Sequence, residues 1–285
     1  MKHFFLVGNL LKEGVFETAH EITNYLNRRG ATCCASLTDG AKRAGKGGYT
    51  DPKRVPADTE CIITLGGDGT LIQAARDLNN LQIPLIGINM GHLGYLTQVA
   101  RGESIFPMLD ALLIESYQLE KRMMLEGRVI SPKGKERCGV ALNDIVLKGS
   151  EGMQVLKFNV CINGEYLNEY SADGMIIATP TGSTAYNLSA GGPIVKPSAE
   201  LMVLTPVCSH ALNSSSIVVT HEDVVRIRMK GNPERKQLII FDGDHVVPFG
   251  YEDKLIVEKS SNYTTLIQLK NISFLDNLSN KMSRI

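Results

Sequence analysis

The periodicity of this chain changes near Tyr117, and that change limits the folds open to it more than any other feature. Before it, short apolar runs alternate with segments of helical spacing. FFLVGN reads as a first strand. Val15, Phe16, Ala19, Ile22, Tyr25 and Leu26 then recur at the spacing of an amphipathic helix that Gly30 closes. ATCCASL, CIITL and IPLIGIN read as further strands, and LIQAARDL as a helix. Such alternation makes a mainly parallel sheet with helices on both faces. From Tyr117 to about Glu258 strand follows strand, and Asn163-Gly164 and Asp242-Gly243 are dipeptides that favour two-residue hairpin turns. The expected architecture is an α/β domain over 1–116, a mostly β domain over 117–260, and a C-terminal segment, 261–285, in which LIQLKNISFLDNLSNKM turns mixed or helical again and packs back on the first domain.

Composition narrows the partners. With 285 residues the chain can bury one large core or two modest ones. Thirty basic and thirty acidic side chains cancel, so no whole-chain field draws it to nucleic acid or to an anionic membrane. No apolar run approaches the ~20 residues that span a bilayer, and MKHFFLVGNL reads as a strand rather than a leader because no small-residue cleavage site follows it. The six cysteines show no CxxC spacing, and most fall in apolar, strand-like runs. They read as buried reduced thiols of a cytoplasmic protein. Residues 38–58, rich in glycine, lysine and proline, read as a solvated surface loop; a lid that brings Lys42, Arg43 or Lys46 to a phosphate is the sharper alternative.

The first chemical signal is CIITLGGDGTLIQAARDL, residues 61–78. Gly66 and Gly67 permit close backbone approach where any Cβ would intrude. Asp68 is then expected at the carboxyl end of a strand, where ligands of such sheets bind, with Thr70 as the cap of the next helix. Free N–H groups at the start of that helix suit phosphate. Asp68 could take a proton from a hydroxyl or hold Mg²⁺. A tight turn with an incidental aspartate is the competing reading. The pattern is neither a P-loop nor GxGxxG.

GGDGT resembles the motif shared by NAD kinases, phosphofructokinases and the diacylglycerol and sphingosine kinases. Two further clusters select among them. GINMGHLGYL, residues 87–96, is similar to the asparagine–glycine–leucine–glycine element of NAD kinases, with Tyr95 where phenylalanine is usual. The resemblance implies that Asn89 orients ligand hydroxyls while Gly91 and Gly94 let the backbone run close; His92 reads as structural. SADGMIIATPTGSTAYNLSAGGPIV, residues 171–195, is nearly a full match to the NAD-binding signature of that family. Read as residues alone, Asp173 can accept hydrogen bonds from a ribose or amide, Thr181, Gly182 and Thr184 offer hydroxyls and N–H groups, Tyr186 could stack on a base, and Gly191-Gly192 permits a sharp turn.

The chain is thus identified as resembling the NAD kinase family, densely over 61–96 and 141–215. What the resemblance implies is a Rossmann-like N-terminal domain, NAD⁺ and ATP as substrates, a divalent cation such as Mg²⁺, and a homodimer or homotetramer. It implies that Asp68 is the catalytic group, with Gly67 and Gly69 beside it. It places Asp173, Thr181, Thr184, Ala185, Tyr186 and Ser189 along the dinucleotide. Asn143-Asp144 in ALNDIVLKG stands where the family has Asn-Glu, one methylene longer, for the adenosine. His210 in TPVCSHALNSS is a further candidate, Arg122 in LEKRMML is structural or subunit-related, and Asp242 in FDGDHVV is more a hairpin residue than a site residue. A lipid or sugar kinase built on the same GGDGT, and a non-catalytic NAD-binding sensor, are the competing functions.

Overall fold

The fold is seen in a computed structural model of the chain. The residues described are 1–39, 49–91, 94–150, 155–210, 215–231, 233–269, 274–275 and 278–279. Lys42, Arg43, Lys46 and His92 lie outside them. The chain divides into two compact units, Met1–Lys121 with Tyr263–Ile285, and Arg122–Asn262.

In the first unit, β1 (His3–Asn9) lies between β2 (Thr32–Thr38) and β3 (Cys61–Gly66), and β3 pairs on its other side with β4 (Leu85–Asn89), all in parallel. Strands β3 and β4 are buried at every position, the pattern of a sheet covered on both faces. Helix α1 (Val15–Arg28) buries Val15, Ala19, Ile22 and Leu26 against Phe4, Leu6 and Ile63. Val15, Ile22 and Leu26 each contribute about 1.5–3 kcal/mol by this burial. Phe16, counted in the apolar stripe by spacing, lies on the outer face instead, 62% exposed. Helix α3 (Phe106–Leu113) shares the apolar core of α1, and α2 (Asp68–Asp77) follows β3 and buries Leu71, Ala74 and Ala75.

The second unit takes up β5 (Gln118–Ile130), which pairs antiparallel with β6 (Glu136–Ala141). A six-stranded sheet follows, made of β7 (Asp144–Gly149), β10 (Gly174–Ala178), β11 (Leu201–Val207), β12 (Ile217–Thr220), β14 (Gln237–Phe241) and β15 (His245–Phe249). Its order is β12-β11-β10-β7-β14-β15, antiparallel throughout. Opposite it run β8 (Leu156–Ile162), β9 (Glu165–Ala172) and β13 (Val225–Lys230). Phe158, Met175, Ile177, Ile227, Phe241 and Phe249 belong to one apolar core. Gly127 and Gly139 are small because Phe241 fills the space a Cβ would take, at 2.7 and 2.9 Å. Asn163 and Gly164 turn between β8 and β9 at φ of 53° and 91°, and Asp242 and Gly243 between β14 and β15 at 48° and 78°. Both are left-handed pairs that asparagine, aspartate and glycine tolerate best.

The last strand, β16 (Lys254–Gln268), runs antiparallel to β13 in the second unit, and its Leu266 pairs in parallel with Leu85 of β4 in the first. The C-terminal region therefore returns to the α/β unit as part of a long strand that ends at Gln268, and 274–275 and 278–279 are helical, so the stretch LIQLKNISFLDNLSNKM is mixed. The cysteines depart from expectation. Cys61 is buried, but Cys34, Cys138 and Cys208 are exposed and Cys33 and Cys161 lie between. Strand β2 is the sheet edge, with β1 its one neighbour in the strand order, so an apolar strand there is not buried on both sides.

Candidate active site

Each unit carries one cluster of the residues singled out in the sequence. In the first, β3 ends at Gly66 and α2 begins at once with Asp68. The Asp68 side chain folds over to the stretch after β4. Its Oδ2 accepts the N–H of Tyr95 at 2.5 Å, and its Oδ1 accepts those of Leu96 and Thr97 at 3.1 and 3.3 Å. Three consecutive backbone donors thus fix one carboxylate at the first turn of a helix, while Oδ2, with one donor, keeps capacity for a hydroxyl or a cation. Gly94 is required by this contact, since a Cβ there would stand 1.8 Å from Asp68 Oδ1.

The glycines of GGDGT have separate reasons. A Cβ on Gly66 would strike Thr70 Oγ1 at 2.1 Å, so internal packing alone demands this glycine. Around Gly67 and Gly69 no atom of the described residues lies within 4 Å of a Cβ. Gly69 stands inside the first turn of α2, where glycine is disfavoured by about 0.5–1 kcal/mol against alanine. Thr70 does not cap α2: Gly67 holds the cap position, and the threonine sits one turn inside with its hydroxyl against Gly66. Asn89, expected to meet ligand hydroxyls, is 1% exposed; its Oδ1 accepts the Gly91 N–H at 2.7 Å and its Nδ2 donates to Thr97 Oγ1 at 3.4 Å.

In the second unit a pocket of about 320 Å³ is lined by Asn143, Asp144, Ala185, Tyr186 and Asp242, with Val146, Lys148, Ile240 and Gly243. Asp242 is both hairpin residue and organiser. Its Oδ2 accepts the N–H of Leu142 at 2.9 Å, and its Oδ1 accepts those of Asn143 and Asp144 at 2.7 and 3.3 Å. Asp144 is 5% exposed, and its carboxyl is pushed up to about 7, first by burial and then by the Asp242 carboxylate. Burial, then Cys208, Asp144 and Asp173, raise the Tyr186 phenol. Tyr186 and Asp144 line the same pocket.

The loop from Thr179 to Val195 is pinned to Asn143. Thr179 N–H donates to Asn143 O at 2.8 Å, its hydroxyl donates to Leu142 O at 2.6 Å, and a Cβ on Gly182 would stand 2.0 Å from Asn143 O. Thr181 is 6% exposed and accepts from Arg122 Nη1 at 3.4 Å, which places Arg122 in the scaffold of this loop. Thr184 donates to Thr181 O at 3.3 Å. Ala185 and Tyr186 open the short helix α4 (Tyr186–Ser189); Tyr186 and Ser189 face solvent. Asp173 N–H donates to Val207 O and His210 N–H to Ser171 O, both at 2.9 Å, so His210, itself exposed, lies beside the Asp173 turn.

Asn187 went unnoticed in the sequence. Fully buried, it donates to Ser183 O at 3.1 Å and Pro193 O at 3.0 Å and accepts from the Thr205 hydroxyl at 2.7 Å. Gly192 makes room for it, because a Cβ there would stand 2.1 Å from Asn187 Oδ1. An amide flanked by apolar and small residues in TAYNLSAGG was the available signal. Among the described residues no group of three or more His, Cys, Asp or Glu is placed to hold a metal.

The first unit thus carries a fixed carboxylate at a strand-to-helix turn, and the second a polar loop with an aromatic beside a pocket. The model of the ATP-NAD kinase N-terminal domain matches residues 48–117, and that of the ATP-NAD kinase C-terminal domain matches 142–269. The NAD kinase of Lachnospira eligens is 39% identical over 296 aligned residues, covering 99% of this chain and 100% of that protein. The NAD kinase of Agathobacter rectalis is also 39% identical, with 99% of each chain covered. In fold, the chain is similar to yeast NADH kinase, solved with NADH (TM-score 0.83, 20% identity, 99% of this chain and 88% of that one). It is also similar to an Archaeoglobus fulgidus NAD kinase solved with ATP (TM-score 0.75, 24% identity, 99% of both). The chain belongs to the NAD kinase family and is an NAD⁺ kinase. That membership removes the lipid- and sugar-kinase reading of GGDGT.

Proposed function

We propose that in this NAD⁺ kinase Asp68 is the group that receives or orients the 2′-hydroxyl of the adenosine ribose, and that ATP is the donor. The observation that carries the assignment is the Asp68 carboxylate held by three successive N–H groups at the start of α2, beside two glycines with open space. The 2′-oxygen bonds to the γ-phosphorus, the bond to the β,γ-bridging oxygen breaks, and the hydroxyl proton passes to Asp68. Alignment and charge stabilisation supply most of the acceleration in such a transfer. ATP as donor is supported by the Archaeoglobus relative, and NAD⁺ as acceptor by the curated relatives.

A divalent cation fits the donor set present here, because Mg²⁺ is commonly carried by substrate phosphates with one or two carboxylates, and Asp68 Oδ2 offers one. Bound there, it would neutralise charge on the transferring phosphoryl group. The NAD⁺ contacts proposed are Gly67 and Gly69 with Asp68, and Asn143, Asp144, Asp173, Thr181, Thr184, Ala185, Tyr186 and Ser189, with His210 beside the Asp173 turn. A homodimer or homotetramer is the assembly that the family resemblance implies. Six free cysteines support a cytoplasmic, reducing setting.

The test is NADP⁺ formation from NAD⁺, ATP and Mg²⁺, read by an NADP-specific dehydrogenase, for the wild type, Asp68→Asn and a chelated sample. Loss of the general base lowers kcat by about 10²–10⁴-fold, while calorimetric NAD⁺ binding is retained. Near-normal turnover of Asp68→Asn removes that residue from the chemistry. Tight NAD⁺ binding without turnover by the wild type supports a sensor instead.

A further inference from the structure

Asn89 ends β4 and is almost wholly buried, so it has little surface to present to a ligand. Its surroundings give it another task. The Asn89 N–H donates to Val99 O at 2.8 Å and the Gln98 N–H to Gly87 O at 2.9 Å, bringing the chain that leaves β4 back alongside it. The Met90 N–H donates to Gly66 O at 2.7 Å, fastening the same stretch to the residue before Gly67-Asp68. The Asn89 side chain then spans this return. Its oxygen closes a local turn with the Gly91 N–H, and its amide donates to Thr97 Oγ1. Thr97 is 7% exposed, and its methyl rests where a Cβ on Gly87 would stand at 2.8 Å. Its own N–H is the third donor to Asp68.

We infer that Asn89 and Thr97 are positioning residues for phosphoryl transfer: their buried side-chain bond holds the Gly94–Thr97 backbone so that its N–H groups fix the Asp68 carboxylate. This rests on the assignment of Asp68 above. Three donors from a flexible stretch would let the carboxylate wander; three donors tied at Thr97 and, through Asn89, at the end of a buried strand hold it to one place. A misplacement of about 1 Å in a reacting group is enough to slow a reaction about 10²-fold. The effect belongs in kcat, because neither side chain adds to ground-state binding.

The experiment compares Asn89→Ala, Thr97→Val, Thr97→Ser, Asp68→Asn and the double variant Asn89→Ala/Asp68→Asn in the coupled assay, with circular dichroism as the check of fold. Asn89→Ala and Thr97→Val are expected to lower kcat about 10–100-fold, with KM for NAD⁺ and ATP changed by less than about threefold. Thr97→Ser, which keeps the hydroxyl, stays near wild type. The double variant turns over at the rate of Asp68→Asn alone, since a residue acting through Asp68 has nothing left to position. A raised KM for NAD⁺ at unchanged kcat overturns the inference, because it places Asn89 against the ligand. So do a double variant slowed by the product of the single effects and a normal kcat for Thr97→Val. If Asn89→Ala does not fold, Thr97→Val, which keeps the side-chain shape, decides. Near-wild-type turnover of Asp68→Asn overturns the assignment of Asp68 and the inference with it, whereas a slow Asp68→Asn beside a normal Thr97→Val overturns the inference alone.

Discussion

Replacing Asp144 by asparagine gives the sharpest thermodynamic test of the pocket in the second unit. Burial, and secondly the Asp242 carboxylate, raise the Asp144 carboxyl from 3.8 to about 7. Between those values the folded protein holds a proton that the unfolded chain has lost. The stability this contributes is present in full below about pH 4 and is lost as pH rises through about 7. A shift of roughly three units at 1.36 kcal/mol each amounts to about 4 kcal/mol across the whole window. Asp144 is 5% exposed, so solvent screening takes little from that figure. Asparagine has no such proton, and the variant should gain on the wild type as pH rises, by about 3 kcal/mol between about pH 5 and about pH 8. Urea unfolding followed by far-ultraviolet circular dichroism measures this directly, the chain having no tryptophan to follow. Because burial is the larger cause, removing the Asp242 charge narrows the window without closing it. A stability difference between variant and wild type that stays constant with pH refutes the reasoning, for it means that Asp144 ionises in the folded protein as it does in water.

Two further substitutions address the loops. Gly69→Ala fills space left open in the first turn of α2, so it should stabilise the protein by about 0.5–1 kcal/mol in urea unfolding while lowering turnover, because the added methyl occupies the approach of the reacting group. Asn187→Ala removes three hydrogen bonds from a fully buried amide and leaves the Thr205 hydroxyl with Ser216 Oγ as its partner, so it should cost about 2–4 kcal/mol by thermal or urea unfolding. An unchanged midpoint would show that the 179–195 loop does not depend on that residue.

Local features of this protein were legible in its sequence because their causes are local. The alternation that yields β1, α1, β2, β3, α2 and β4 is a matter of side-chain spacing within a dozen residues. The hairpins at Asn163-Gly164 and Asp242-Gly243 follow from which residues accept a left-handed backbone, and the position of Asp68 after a buried strand follows from the run CIITLGG. Sequence failed where a partner comes from elsewhere. Nothing in GGDGT tells that the N–H groups of Tyr95, Leu96 and Thr97 will reach Asp68, and nothing in FDGDHVV tells that Asp242 will gather those of Leu142, Asn143 and Asp144. Every residue but proline carries the same N–H, so only the tertiary arrangement selects which ones serve a carboxylate. Burial behaves likewise: Asp144 and Asn89 look in sequence like turn or ligand residues, and packing alone made one a raised carboxyl and the other a buried brace. Short-range geometry determined the elements and set Asp68 at the end of a buried strand; long-range closure of the chain decided what holds its carboxylate in place.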